Sequence, residues 1–190
     1  MKKSVLLFSA ALFLFIISGS FLHAQNGSRF RIEGVVHYFQ PADTVFQDIY
    51  GGGITYGGEI GIRLGGWISL WAGGDFYSQT GETTFTGETT ELQIMPIYGG
   101  LMFELPGETF RPYTAFGLGY FLYKEESPIG GVEGGEMGYI SQLGVRIHVT
   151  GSLFFDIKGG YSYCKTQPAE FETGLGGFKG GIGIGLEFQP

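Results

Sequence analysis

Cysteine is nearly missing from this 190-residue chain. Cys164 stands alone, so no disulfide can form within the chain. Charge is scarce too, at 15% of residues, and it leans acidic, with 18 Asp and Glu against 11 Lys and Arg. Such a balance offers no electrostatic footprint for nucleic acid. Only three histidines are present, which restricts both metal centres and general-base chemistry. After Ile17 no apolar run approaches the ~20 residues that a spanning helix needs. The glycines are spread along extended segments with no helix to follow them, which excludes a phosphate-binding P-loop. No cofactor is expected.

What the chain does have is glycine, 36 of them, together with 16% aromatic residues. Without a G-X-Y period this is not collagen, and the aromatics argue against disorder. Lys2 and Lys3, the apolar stretch Leu6 to Ile17 and the small-residue segment Ser18 to Ala24 read as a secretory signal peptide, 1–24, cleaved after Ala24. The mature chain, Gln25 to Pro190, then loses two lysines, and its net charge moves from −7 to −9.

The clearest pattern is the final stretch, Gly177 to Phe188. Phe178, Ile182, Ile184, Leu186 and Phe188 share one parity, while Lys179, Gly181, Gly183, Gly185 and Glu187 share the other. Successive strand side chains point to opposite faces. One face is therefore greasy and the other is too small and polar to dress an exterior, which predicts a membrane barrel with the greasy face toward lipid. Seven further segments repeat the alternation: 29–39, 50–64, 67–78, 91–104, 111–123, 138–149 and 152–164. In 91–104 the parity is clear at Leu92 and Ile94 against Glu91 and Gln93, then blurs after Pro96, which suggests a bulge.

Connections alternate in length. Loops at 41–47, 79–90, 124–137 and 166–176 are long and polar, and the second contains GETT twice. The turns Gly65-Gly66, Pro106-Gly107-Glu108 and Thr150-Gly151 are tight. The predicted fold is all-β: an eight-stranded antiparallel up-and-down transmembrane β-barrel, residues 25–190, with both termini periplasmic and the long loops outside. Tyr38, Tyr50, Tyr77, Phe110, Tyr123, Tyr161, Tyr163 and Phe188 fall near strand ends, as interface girdles do. A soluble barrel would bury its greasy parity, leaving the glycine face outside.

Arg111 to Tyr120, RPYTAFGLGY, resembles the strand-opening pattern of small outer-membrane barrels of the OmpW and opacity-protein type. With the terminal GIGLEF, the mature chain resembles the eight-stranded superfamily that also includes OmpX and the OmpA membrane domain. The resemblance implies residence in the cell outer membrane, with lipid and lipopolysaccharide as surroundings. Phe188 fits the signal on the last strand that addresses such barrels to the assembly machinery. Members of this group serve in transport, adhesion, structure and catalysis.

An eight-stranded barrel leaves an interior that side chains fill. Parity assigns Arg29, Arg31, Glu33, Glu59, Asp75, Arg146, Asp156, Lys158, Lys179 and Glu187 to a luminal charge network, with His148 beside them. Buried charges are tolerable only when paired. Glu187 with Arg31, and Arg146 with Asp156 or Lys158, are the expected pairs. Catalysis has little to draw on: His37 and His148 lie at opposite ends of the barrel, Ser162 and Tyr38 are level with His37, and parity turns Tyr38 outward. Cys164 reads as a small luminal filler. The acidic loop residues Glu82, Glu88, Glu91, Glu125, Glu126, Glu133 and Glu136 match no calcium-loop spacing. Three classes of function remain: a structural or surface-interaction barrel with a loop-borne extracellular ligand, a narrow channel for small or apolar solutes, and a lipid-modifying enzyme. The first is the reading taken, and it is not an enzyme.

Overall fold

A computed structural model describes residues 29–82, 89–128, 130–166 and 173–188. The signal peptide, Glu88, half of the two GETT copies and most of the 166–176 loop lie outside those residues. Eight strands form the wall: β1 (Phe30–Pro41), β2 (Gly53–Gly65), β3 (Ile68–Glu82), β4 (Thr89–Glu104), β5 (Phe110–Ser127), β6 (Gly130–Thr150), β7 (Leu153–Thr166) and β8 (Gly177–Phe188). Each pairs antiparallel with its sequence neighbours, and β8 closes on β1. A two-residue strand, Thr173–Gly174, adds to the end of β7 outside the wall.

The register fixes the barrel's shape. A path across the ladders from Phe30 runs through Ile62, Leu70, Leu101, Phe116, Ser141, Tyr161 and Phe178, and returns to β1 at Gln40, ten residues farther along. Eight strands with that stagger suit a tilt in the usual range of roughly 35–45° and an interior that side chains fill. At the end carrying the chain termini, called here the terminal end, Gly66 and Gly151 make the turns with φ of 51° and 50°. A Cβ disfavours that left-handed backbone.

The alternation resolves as a greasy exterior. Phe178, Ile182, Ile184, Leu186 and Phe188 are exposed, as are Ile54, Tyr56, Ile97, Leu118 and Leu143 on other strands. On β5 and β6 this apolar band gives way beyond Leu122 and Met137 to Lys124, Glu126 and Glu133. A spanning strand needs only ~9–11 residues, so the 18 residues of β5 and the 21 of β6 carry their hairpin well past the band.

Several sequence expectations change here. The stretch 124–137 is not a loop but the continuation of β5 and β6, in register from Lys124↔Glu133 to Ser127↔Gly130. Likewise β3 runs on to Glu82 and β4 starts at Thr89. No bulge occurs at Pro96: Gly74↔Ile97 and Tyr77↔Ile94 keep a single register on either side of it. The 41–47 loop becomes a helix, α1 (Thr44–Tyr50), N-capped by Asp43, whose carboxylate accepts from the Val45 and Phe46 N–H groups. Phe46 and Tyr50, one turn apart, share the helix face buried against the barrel. Tyr50 and Tyr77, expected in the girdle, are inside the molecule. So are Leu92 and Ile94, while Glu91 is exposed. With Phe39, Phe46, Phe121, Ile140, Cys164 and Leu175 they form an apolar plug at the loop end.

Candidate functional site

Below the plug, the luminal parity of all eight strands presents charge. Along β1 it runs Arg31, Glu33, Val35, His37, Phe39, every one of them buried. The glycines of β8 make room for this crowd. A Cβ at Gly183 would collide with the Glu33 carboxylate, and one at Gly185 with the Phe154 ring.

Three tiers follow from the terminal end upward. In the first, Glu187 Oε1 accepts from Arg29 and from Arg111, each at 2.8 Å, and its Oε2 lies 3.7 Å from His148 Nε2. Glu104 pairs with both Arg63 and Arg146. In the second, Lys158 Nζ meets Glu33 at 2.7 Å, Glu59 at 3.0 Å and Asp156 at 3.2 Å. Tyr113 donates to Asp156 at 2.7 Å and Gln142 to Glu59 at 2.9 Å. In the third, Lys179 bonds Asp75 at 2.5 Å, with His37 Nδ1 3.9 Å from the same carboxylate. Tyr98 ties the upper tiers together, donating to Glu59 at 3.3 Å and Asp75 at 3.2 Å.

One expected pair is replaced, and the other, Arg146 with Asp156, is kept at longer range beside a new partner. Arg31 and Glu187 are register partners, but the carboxylate is taken by Arg29 and Arg111. Arg31 instead donates to the Met102 sulfur at 3.4 Å. Arg146 pairs with Glu104 and keeps Asp156 at 3.9 Å. It lies over the Tyr113 ring, 4.3 Å from the centroid, which compensates a fully buried guanidinium in part. Arg63, Glu104 and Arg111 were not foreseen. Each lies on the luminal parity of its strand, and the unbroken register through Pro96 carries that of β4 to Glu104.

The interior leaves little space. One cavity of about 20 Å³ lies among His37, Asp75, Tyr98, Gln142, Lys158 and Ser162. Another of about 10 Å³ lies beneath the plug beside Phe39, Tyr77, Ile94 and Phe121. A water needs roughly 10–15 Å³ of such volume, so each takes about one. His37, Asp75 and Ser162 do line a common cavity, but it has no room for a substrate. The Ser162 hydroxyl is engaged with the Gly177 backbone, accepting from its N–H at 3.3 Å. Among the described residues no group of His, Cys, Asp and Glu could hold a metal ion.

A closed antiparallel barrel with a lipid-facing exterior is the architecture of a known family. The model of the outer membrane protein β-barrel domain matches residues 9–189. The chain belongs to that family. It is therefore an outer-membrane protein of Gram-negative type. Its fold is similar to that of Neisserial surface protein A, with a TM-score of 0.61 and 15% identity over 86% of this chain and 100% of that one. It is also similar to the N-terminal β-barrel domain of Pseudomonas aeruginosa OprF, at 0.56 and 17%, over 86% and 100%. Ail, the attachment invasion locus protein of Yersinia pestis, aligns at 0.53 and 12%, over 85% and 98%. At these identities the likeness is one of fold. No curated protein matches the chain.

Proposed function

We propose that this protein is a structural and surface-interaction barrel rather than a channel or an enzyme. The terminal end faces the periplasm, and the loop end, with α1 and the long β5–β6 hairpin, faces outward into the lipopolysaccharide layer. The signal segment 1–24 would direct export, and β8, ending at Phe188, would present the chain to the barrel-assembly machinery. The observation that carries the reading is the filling of the lumen among the described residues. The cavities between the charge tiers and beneath the plug hold about one water each, and charge pairs and the plug pack around them. A roomier space of about 210 Å³ lies at the loop end beside Tyr161, Tyr163 and Cys164. The length of β6 beyond the apolar band supports contact through the loop end. Neisserial surface protein A and the attachment invasion locus protein Ail, both similar in fold, are compatible with it.

Single-channel recording of the refolded chain in a planar bilayer tests this, with wild type beside Glu187→Gln. Silence in both is expected. Discrete openings that change with the substitution would replace the plugged barrel by a gated pore.

A further inference from the structure

We propose that the terminal mouth of the barrel is an anion site that binds a phosphate group from the water on that side. Three arginines rim it. Arg29, Arg63 and Arg111 keep 28%, 20% and 11% of their side chains exposed, and His148 beside them keeps 11%. Behind them, fully buried, stands Arg146. Against these four guanidinium groups stand Glu104 and Glu187, each shared between two arginines, and more distantly Asp156, 3.9 Å from Arg146 and shared with Lys158. Exposed Glu108 lies in the nearby β4–β5 turn, outside these pairs.

A luminal filler alone would be neutral tier by tier, and the rest of the lumen comes close. There Arg31, Lys158 and Lys179 face Glu33, Glu59, Asp75 and Asp156, a slight acidic surplus. The positive excess is confined to the mouth. The opposite end has the reverse sign: Asp43, Asp48, Glu91, Glu125, Glu126, Glu133 and Glu136 stand there against Lys124 and Lys165 among the described residues. A charge separation of this kind along a low-dielectric wall draws anions to one opening and repels them from the other.

The mouth also has donors to spare. A guanidinium carries five N–H groups in a fixed fork. Arg29 and Arg63 each spend one on a carboxylate, and Arg111 spends two, on Glu187 and on the Gly107 carbonyl. Both His148 ring nitrogens are buried without a hydrogen-bond partner. Forked, weakly hydrated donors on converging strands suit the tetrahedral oxygens of a phosphate. The group can come from a soluble phosphate or from a phospholipid headgroup of the adjoining leaflet.

Calorimetry with pyrophosphate on the full refolded chain, in phosphate-free maltoside micelles at low salt, tests the site. Expected is saturable binding that weakens as salt rises, lowered on the order of tenfold or more in an Arg29→Gln/Arg63→Gln double variant and unchanged in Lys124→Gln. Glu187 keeps Arg111 and Glu104 keeps Arg146 in the double variant, so the barrel should fold. Should it fail to fold, wild-type arginine side-chain NMR decides: shifts on titration must be confined to the mouth residues. Loss of pyrophosphate binding after transfer to phospholipid nanodiscs assigns the site to headgroups, and persistence assigns it to soluble phosphates. Absence of saturable binding at low salt, equal affinity in the folded double variant, or shifts spread along the chain would overturn the proposal.

Discussion

The two halves of the lumen are filled by opposite chemistries on the same strand parity. From the terminal end to His37 and Asp75 the interior is ionic, and from Phe39 to Leu175 it is apolar. β4 passes through both. At Leu101 and Ile97 its apolar side chains face outward. At Ile94 and Leu92, in unbroken register, they face inward. What changes along the strand is the medium outside it. Where the wall meets lipid, greasy residues belong outside and the interior must pair its charges. Where the wall rises into water, Glu91 and Lys124 dress the exterior and the interior becomes an ordinary hydrophobic core. One barrel is thus a membrane protein below and a soluble one above.

The largest effect should come from breaking the ionic half at its most shared cation. Lys158→Met takes from Glu33, Glu59 and Asp156 the one cation that all three contact, leaving Asp156 only Arg146 at 3.9 Å. Removing one member of a buried pair costs about 3–5 kcal/mol. Urea unfolding from micelles, followed by the fluorescence of Trp67 and Trp71, should show this as a lowered midpoint, with partial recovery when Glu33→Gln is added. An unchanged midpoint would mean that the network carries no stability. A second test compares one residue type on the two sides of β4. Leu92→Ala opens a cavity in the plug and should cost roughly 2–5 kcal/mol. Leu101→Ala faces lipid, which fills the space, and should cost much less. Equal losses would erase the distinction between the halves.

That distinction also explains what could be read from residues alone. Closure, strand number and the ionic parity follow from period-2 alternation, because β8 and β1 keep one medium outside over most of their length. The plug was hidden because the same alternation gives no sign of where the outer medium changes. Leu92 and Ile94 look like a lipid face, and the blur after Pro96 looks like a bulge, although the register never slips. The β5–β6 extension was hidden for a related reason: GGVEGGEM has the glycine and charge of a loop, and only pairing with 120–127 makes it a strand. Parity placed Arg31 opposite Glu187. Which side chain then reaches the carboxylate depends on length and tilt, and Arg111 arrives from the far side of the barrel.

The smallest effect lies where α1 meets the plug. Tyr50 donates its hydroxyl to Glu125 at 2.5 Å, with Thr90 Oγ1 at 3.2 Å. Burial, and then the hydrogen bond to Glu125, push this phenol above its ordinary value of about 10. A folded-state pKa raised in this way contributes stability in full below the unfolded pKa. The contribution then shrinks as pH rises past about 10, because the unfolded chain loses the proton first. Tyr50→Phe should therefore lower stability by ~1 kcal/mol at pH 8, and the gap to wild type should narrow by pH 11. Taking the difference between the two proteins cancels the titration of the other tyrosines. A gap that stays constant between pH 8 and pH 11 would show that the hydroxyl does not seat the helix, leaving Phe46 and the Asp43 cap to hold it.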